Sequence, residues 1–159
     1  MFRIEKKEYL APNIVLMDVD APRIAKNALP GQFLIVRVDE EGERVPLTIC
    51  DYDAEAGTVQ IVFQVVGAES YRMAALEVGD SFADFVGPLG RPSDLCELPL
   101  EELRAMKLCF IAGGVGTAPV YAQLKWLKSQ GVTADCIQGA RTKDILIMEK
   151  EMSEVSNLY

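Results

Sequence analysis

The chain has 159 residues, of which half are hydrophobic and a quarter are charged, a balance typical of a globular protein. Sixteen Lys and Arg against 24 Asp and Glu give a formal net charge of −8, and a surface of that sign disfavours nucleic acid as a partner. The chain has no histidine, which excludes Ser-His-Asp and Cys-His nucleophile systems and histidine metal ligands. Any chemistry must therefore come from carboxylates, hydroxyls, backbone amides or a bound cofactor.

The four cysteines, Cys50, Cys96, Cys109 and Cys136, form no CxxC pair. We therefore expect no metal site and interpret them as buried thiols in a reducing compartment. The longest uncharged run, residues 108–124, is interrupted by glycines and a proline, so it does not indicate a membrane span. The N-terminus lacks the apolar core of a signal peptide, and we expect a cytoplasmic protein.

Residues 2–87 follow the pattern of short strands separated by turns, which is typical of an antiparallel barrel or sandwich. A short helix is predicted over residues 70–76. The predicted strands are residues 13–20, 32–38, 58–66 and 81–86. The strongest of them places four apolar side chains on one face, namely Val59, Ile61, Phe63 and Val65.

After Pro92 the spacing of the apolar residues changes to the alternation of strands and helices that is typical of an α/β domain. A connecting helix is expected within residues 98–106, and residues 108–112 are wholly apolar, as in a strand buried on both faces. A glycine-rich turn leads into a helix that ends at Gly131. A second strand, residues 132–139, precedes a helix that Thr142 can cap, with an apolar face made by Ile145, Met148, Met152 and Val155.

Two parallel strands and two helices are about half of a doubly wound domain and would leave a sheet edge open. We therefore expect the chain to be a C-terminally truncated part of a longer one, or to be completed by another chain. The predicted domains are residues 1–98, an antiparallel barrel, and residues 99–159, a partial Rossmann-like domain.

A glycine-rich segment between the buried strand and the next helix is the strongest candidate site. It contains Gly113, Gly114, Gly116, Thr117 and Pro119. Glycine lets a ligand approach the backbone, and a helix N-terminus offers free amides and a partial positive charge, a combination that suits a pyrophosphate. The segment is neither a Walker A loop nor the full GxGxxG fingerprint, and it can also be a tight turn without a ligand.

Arg141 follows the next strand, at the edge where an open α/β sheet binds ligands. It can contact a 2′-phosphate or a pyrophosphate oxygen, or it can be a solvated loop arginine.

Two weaker motifs lie in the first half. Arg44, Pro46 and Thr48 combine a phosphate donor, a fixed backbone and a hydroxyl, and can equally be an ordinary β-edge. Gly67 and Ser70 mark the end of a strand and the start of a helix, where an anion can bind or where Ser70 can simply cap the helix.

In order along the chain, these motifs resemble the ferredoxin–NADP reductase superfamily. The series consists of Pro30-Gly31-Gln32-Phe33, Arg44-x-Pro46-Leu47-Thr48, Gly67-x-x-Ser70, Gly87-Pro88-Leu89-Gly90 and Gly113-Gly114-x-Gly116-Thr117-x-Pro119. The stretches RVPLTICDYD, FQVVG and FVGPLGRPS are most similar to the small FAD subunit of NADH-dependent reduced ferredoxin:NADP oxidoreductases, also called sulfide dehydrogenase beta subunit. The electron-transfer subunit of dihydroorotate dehydrogenase is a close second.

The resemblance implies a Greek-key barrel that binds FAD and a domain that receives NADH or NADPH. It implies that Arg44 contacts the FAD pyrophosphate, that Pro46 belongs to the cofactor-binding residues, and that Leu47 and Thr48 lie at the flavin ring, with the Thr48 hydroxyl near its reactive nitrogen. Gly67 and Ser70 would match the second pyrophosphate-binding segment. The residues implied for the nicotinamide dinucleotide are Gly113, Gly114, Gly116, Thr117, Pro119 and Arg141.

The resemblance further implies an oxidoreductase subunit that moves a hydride between nicotinamide and FAD and passes electrons to an iron–sulfur centre. Its partners would be a larger oxidoreductase subunit and a ferredoxin-type carrier. Longer family members carry a cysteine-rich segment for a [2Fe–2S] cluster, which this sequence lacks. Two alternatives stay open: the dihydroorotate dehydrogenase subunit, and a docking module without a cofactor.

Overall fold

A computed structural model describes residues 2–159. The strands are β1 (Phe2–Ala11), β2 (Ile14–Asp20), β3 (Phe33–Arg37), β4 (Val45–Asp53), β5 (Thr58–Gln64), β6 (Ser81–Phe82), β7 (Asp84–Leu89), β8 (Cys109–Gly113), β9 (Asp135–Gly139) and β10 (Asn157–Leu158). The helices are α1 (Pro22–Asn27), α2 (Ala68–Ala75), α3 (Leu100–Ala105), α4 (Thr117–Ser129) and α5 (Glu149–Val155).

The first seven strands form an antiparallel sheet in the order β6-β1-β2-β5-β4-β3-β7, which curls into a nearly closed barrel. Val59, Ile61 and Phe63 of β5 are buried in its interior, as their alternation predicts. The predicted strand 81–86 is divided into β6 and β7, and the predicted helix begins at Ala68, two residues earlier than expected. The barrel of the predicted fold class is confirmed.

The last three strands form a parallel sheet in the order β10-β9-β8, with α4 and α5 in the connections between them. This arrangement confirms the α/β part of the predicted fold class. The third strand, β10, was not predicted, because two residues are too few to show a period. The predicted boundary between residues 98 and 99 falls just before α3.

The prediction that residues 108–112 are buried on both faces is wrong. Along β8 only Ala112 is buried, and Ile111 is 80% exposed beside Ile137, its half-exposed neighbour on β9. Alternation across the sheet turns Ala112 and Cys136 toward the covered face and the two isoleucines toward the open one. The cysteine interpretation is also partly wrong, since Cys50 and Cys136 are buried whereas Cys109 is exposed.

The second helix of the α/β part starts later than predicted. Thr142 precedes a single 3-10 turn, its side chain caps nothing, and α5 begins only at Glu149. Met148 intervenes with a φ of 58°, in the left-handed region. Of the predicted apolar face, Met148, Met152 and Val155 are nevertheless buried and Ile145 is partly buried, so the apolar pattern predicts burial correctly but not helical continuity.

Two hydrophobic cores hold the molecule together. The first fills the barrel, and the second combines barrel residues such as Leu16 and Val62 with α4 residues such as Leu124 and Leu127. In addition, the Lys125 ammonium of α4 lies 2.6 Å from a carboxylate oxygen of Asp51 in β4. The α/β part is therefore packed directly on the outer face of the barrel.

None of the helices within residues 2–159 is both long and apolar enough to cross a membrane. No group of three or more Cys, Asp or Glu side chains in that part of the chain is arranged to hold a metal ion.

Candidate functional site

A cleft of about 570 Å³ opens between the barrel and the start of α4. Strands β4 and β5 form its floor, α2 forms one side, and the segment after β8 forms the other. The predicted residues that line it are Pro46, Leu47, Thr48, Gly67, Ser70, Gly116 and Pro119. We call it the flank cleft, because it lies on the flank of the barrel.

The pairing of β4 with β3 holds the Pro46–Thr48 segment in the floor of the cleft. Thr48 is opposite Phe33, and the backbone N–H of Ile49 donates to the carbonyl of Gln32 at 3.1 Å. Pro46 has no N–H to donate, and it occupies a ladder position opposite Ile35. The backbone of Thr48 is thereby fixed within a mostly apolar floor.

The N-terminus of α2 opens into the same cleft. Gly67 is the residue before the helix, and Ser70 occupies the third helical position and not the N-cap. The Ser70 hydroxyl accepts from the backbone N–H groups of Val66 and Gly67, each at 2.9 Å, and donates to the Gly67 carbonyl at 2.7 Å. Ser70 therefore shapes the turn, while the amides of the first helical turn remain for a ligand.

Arg44 does not line the cleft. Its side chain is 65% exposed, and its guanidinium lies 3.5 Å from the Asp84 carboxylate, which has a closer partner in Arg37 at 2.6 Å. The Arg44 pair is therefore long and solvent-exposed, and such a pair constrains a side chain little.

Two acidic residues that the sequence analysis missed, Glu43 and Glu69, also line the flank cleft. One oxygen of Glu69 accepts from Arg72 at 2.8 Å, and the other is buried without a partner. Arg72 also contacts Asp39, which ties the β3–β4 loop to α2. The hydrogen bond from Arg72 lowers the pKa of the Asp39 carboxyl, and the bonds to Glu69 and Asp39 raise the pKa of Arg72.

A second cleft, of about 650 Å³, lies at the carboxyl ends of β8 and β9. Gly113, Gly114 and Arg141 line it, as the sequence motifs predict. Barrel residues Asn13 and Gln64 line it from the opposite side. We call it the edge cleft.

Thr117 lines neither cleft. It is fully buried at the start of α4, where its hydroxyl accepts from the Gln138 side chain at 3.3 Å. The same Gln138 nitrogen donates to the Ile147 carbonyl at 2.6 Å, and the Gln138 side-chain oxygen is buried without a partner. Thr117 therefore connects the end of the glycine-rich turn to β9 through its hydrogen bond with Gln138.

The glycines fall into two groups that packing distinguishes. A Cβ at Gly31 would lie 2.8 Å from the backbone nitrogen of Ser93, and a Cβ at Gly90 would lie 2.9 Å from the Phe33 ring. At Gly67 and Gly116, by contrast, a Cβ would meet nothing within 4 Å. Internal packing therefore explains the first two glycines but not the two at the flank cleft.

The two clefts combine amides, hydroxyls and carboxamides with few charged groups. Such an arrangement suits a polar ligand with an apolar portion, and the lining residues include no nucleophile paired with a base.

Comparison with solved structures identifies the class of protein to which this fold corresponds. The structure of an NADH-dependent reduced ferredoxin-NADP oxidoreductase is 36% identical, has a TM-score of 0.90 and covers 99% of this chain and 55% of the other. Ferredoxin-NADP+ reductase from Plasmodium falciparum, 16% identical with a TM-score of 0.78, covers 99% of this chain and 68% of the other and shares the fold. The chain has the ferredoxin–NADP reductase fold, and the resemblance seen in the sequence is confirmed.

Particular relatives agree, although no family model matches the chain. The "uncharacterized protein in adh 3'region" of Clostridium beijerinckii is 52% identical over 100% of this chain and 54% of its own length. The "dihydroorotate dehydrogenase B (NAD(+)), electron transfer subunit homolog" of Thermotoga maritima is 37% identical over 98% of this chain and 52% of its own length. The chain thus spans about half the length of these relatives.

Proposed function

We propose that the chain is the flavin-binding part of an electron-transfer subunit in an NAD(P)H-linked oxidoreductase. FAD occupies the flank cleft, and NADH or NADPH enters the edge cleft. When bound, the flavin supplies the step from a two-electron hydride donor to one-electron carriers. The electrons then pass to an iron–sulfur centre, with a ferredoxin-type carrier and a larger oxidoreductase subunit as the partners.

The observation that carries this proposal is the open space at Gly67 and Gly116. Glycine costs conformational entropy on folding, so a glycine that packing does not require suggests a backbone that a ligand approaches. The fit to FAD is good, because the first amides of α2 suit a pyrophosphate and the apolar floor at Pro46 and Leu47 suits a flavin ring. The Thr48 hydroxyl would hold a hydrogen bond to the ring, and Arg44 would turn from Asp84 to the pyrophosphate.

The alternative is a subunit that serves dihydroorotate dehydrogenase. The Thermotoga maritima relative, which is 37% identical over 155 aligned residues, favours this choice by its name. The ferredoxin-NADP oxidoreductase structure, at 36% identity, favours the first choice equally. Copurification of the chain with a dihydroorotate-oxidising partner would select the alternative.

The test is a titration of the purified chain with FAD, followed by NADH under anaerobic conditions. We expect tight uptake with a shifted flavin spectrum, because the cleft replaces water around the ring. Bleaching of the bound flavin by NADH would support the edge cleft as the dinucleotide site. Failure to bind FAD would overturn the proposal and leave a docking module without a cofactor.

A further inference from the structure

The flank cleft and the edge cleft share two lining residues, Gln64 and Val115. Gln64 is the last residue of β5, on the barrel side, and its side chain is exposed. Val115 belongs to the turn between β8 and α4, on the α/β side. These two residues therefore lie where the edge cleft and the flank cleft adjoin.

Strand alternation explains why Gln64 lies where the two clefts adjoin. Phe63 is buried in the barrel interior, whereas Val62 is on the opposite face and belongs to the core shared with α4. Gln64 is two residues after Val62 on the same strand, so it lies on the same face, the one that meets the α/β part. At the edge of that shared core, the carboxamide of Gln64 follows the apolar side chain of Val62 on this face.

We propose that Gln64 binds the carboxamide group of the nicotinamide ring and makes the site selective for dinucleotides that carry it. The inference rests on the proposed function, since it needs FAD in the flank cleft and a dinucleotide in the edge cleft. A nicotinamide that reacts with the flavin must lie where the two clefts meet. There, Gln64 offers one N–H donor group and one carbonyl acceptor, which match the acceptor and donor of the ring's carboxamide. Val115 contributes an apolar surface for the ring itself.

The experiment compares two probes on the FAD-loaded protein, NAD+ and its 3-acetylpyridine analogue. The analogue keeps the carbonyl and the rest of the dinucleotide but has no N–H to donate. Binding is measured by calorimetry and by the perturbation of the flavin spectrum, so no turnover is required. In the unmodified protein we expect NAD+ to bind about tenfold more tightly than the analogue, the effect of one well-formed hydrogen bond.

Three variants determine whether Gln64 causes the preference. Gln64→Leu should abolish it, whereas Gln64→Glu should retain it, because a carboxylate still accepts the N–H. Asn13→Leu is the matched control, since Asn13 lines the edge cleft only. It should leave the ratio of the two affinities unchanged.

Each outcome separates this inference from the proposed function. FAD uptake is measured first, and its loss in the unmodified chain would overturn both. Two results would overturn the assignment of Gln64 alone. One is normal FAD uptake with no NAD+ binding, and the other is a Gln64→Leu variant that prefers NAD+ over the analogue as strongly as the unmodified protein does. Unchanged FAD affinity in that variant excludes a general collapse of the site.

Discussion

At the scale of single residues, Arg44 is the side chain whose proposed role differs most from its position. It lies outside the flank cleft, in a long pair with Asp84. Because Asp84 is already paired with Arg37, the Arg44 guanidinium is free to rotate at little cost. An arginine held in this way suits a ligand that brings its own negative charge.

We therefore expect Arg44→Ala to weaken FAD binding by about ten- to a hundredfold, the effect of losing a charge-assisted hydrogen bond of about 1.5–3 kcal/mol. The measurement is a flavin titration followed by absorbance. Arg91→Ala is a suitable control, because Arg91 is also exposed and paired with an acid, Glu97. Equal FAD affinity in the two variants would remove Arg44 from the proposed site.

Among the residues that line the two clefts, the sequence indicated those that belong to motifs but not the isolated ones. Thr48, Ser70 and the glycines stand in recognisable series, and the structure places most of them along two clefts. Glu69 and Gln64 belong to no such series. Strand alternation through Val62 could have indicated the face on which Gln64 lies, but not that α4 would pack beside it.

At the scale of elements, the two groups of glycines predict opposite results for the same substitution. Gly31→Ala should destabilise the fold by about 2 kcal/mol, because φ is +90° and a Cβ would meet the Ser93 backbone. Gly116→Ala should leave the melting temperature almost unchanged and weaken ligand binding instead. Thermal unfolding and flavin titration of both variants would check this, and a large loss of stability for Gly116→Ala would contradict it.

The link between the β3–β4 loop and α2 predicts a pH dependence. The hydrogen bond from Arg72 lowers the pKa of Asp39 in the folded state below its ordinary value of 3.8. Asp39 therefore contributes stability that is present above pH 3.8 and is lost as the pH falls below it.

Urea unfolding between pH 6 and pH 3 would measure this contribution. Asp39→Asn should reduce the stability at pH 6 and flatten part of its fall toward pH 3. In an Arg72→Gln background the same substitution should have little further effect, because the partner is already gone. An equally steep fall in the Asp39→Asn variant would contradict the prediction.

Secondary-structure elements were predicted well where the apolar pattern extends over many residues and poorly where the element is too short to show one. The helix that contains Leu124 and Leu127 followed from its spacing, whereas β10 is too short for any spacing to appear. The late start of α5 depends on the left-handed conformation of Met148, which no local sequence preference indicates.

At the scale of the whole molecule, the second core makes the barrel and the α/β part dependent on each other. Leu124 is fully buried in that core together with barrel residues such as Leu16. Leu124→Ala should cost about 2–5 kcal/mol and lower the stability of both parts together. Trp126 fluorescence reports on α4, and circular dichroism reports on the strands. Coincident transitions in the two signals are expected, and two separate transitions would show that the parts unfold independently.

The open face of the small sheet affects how the protein behaves in concentrated solution. Ile111 and Ile137 are exposed there, and β8 is an edge strand without a charged side chain. At low ionic strength the net charge of −8 keeps copies apart, but salt screens that repulsion without weakening apolar contact. We therefore expect light scattering to rise with added sodium chloride and Ile111→Lys to suppress the rise. The choice of buffer would then decide whether the chain is studied as single molecules or as clusters.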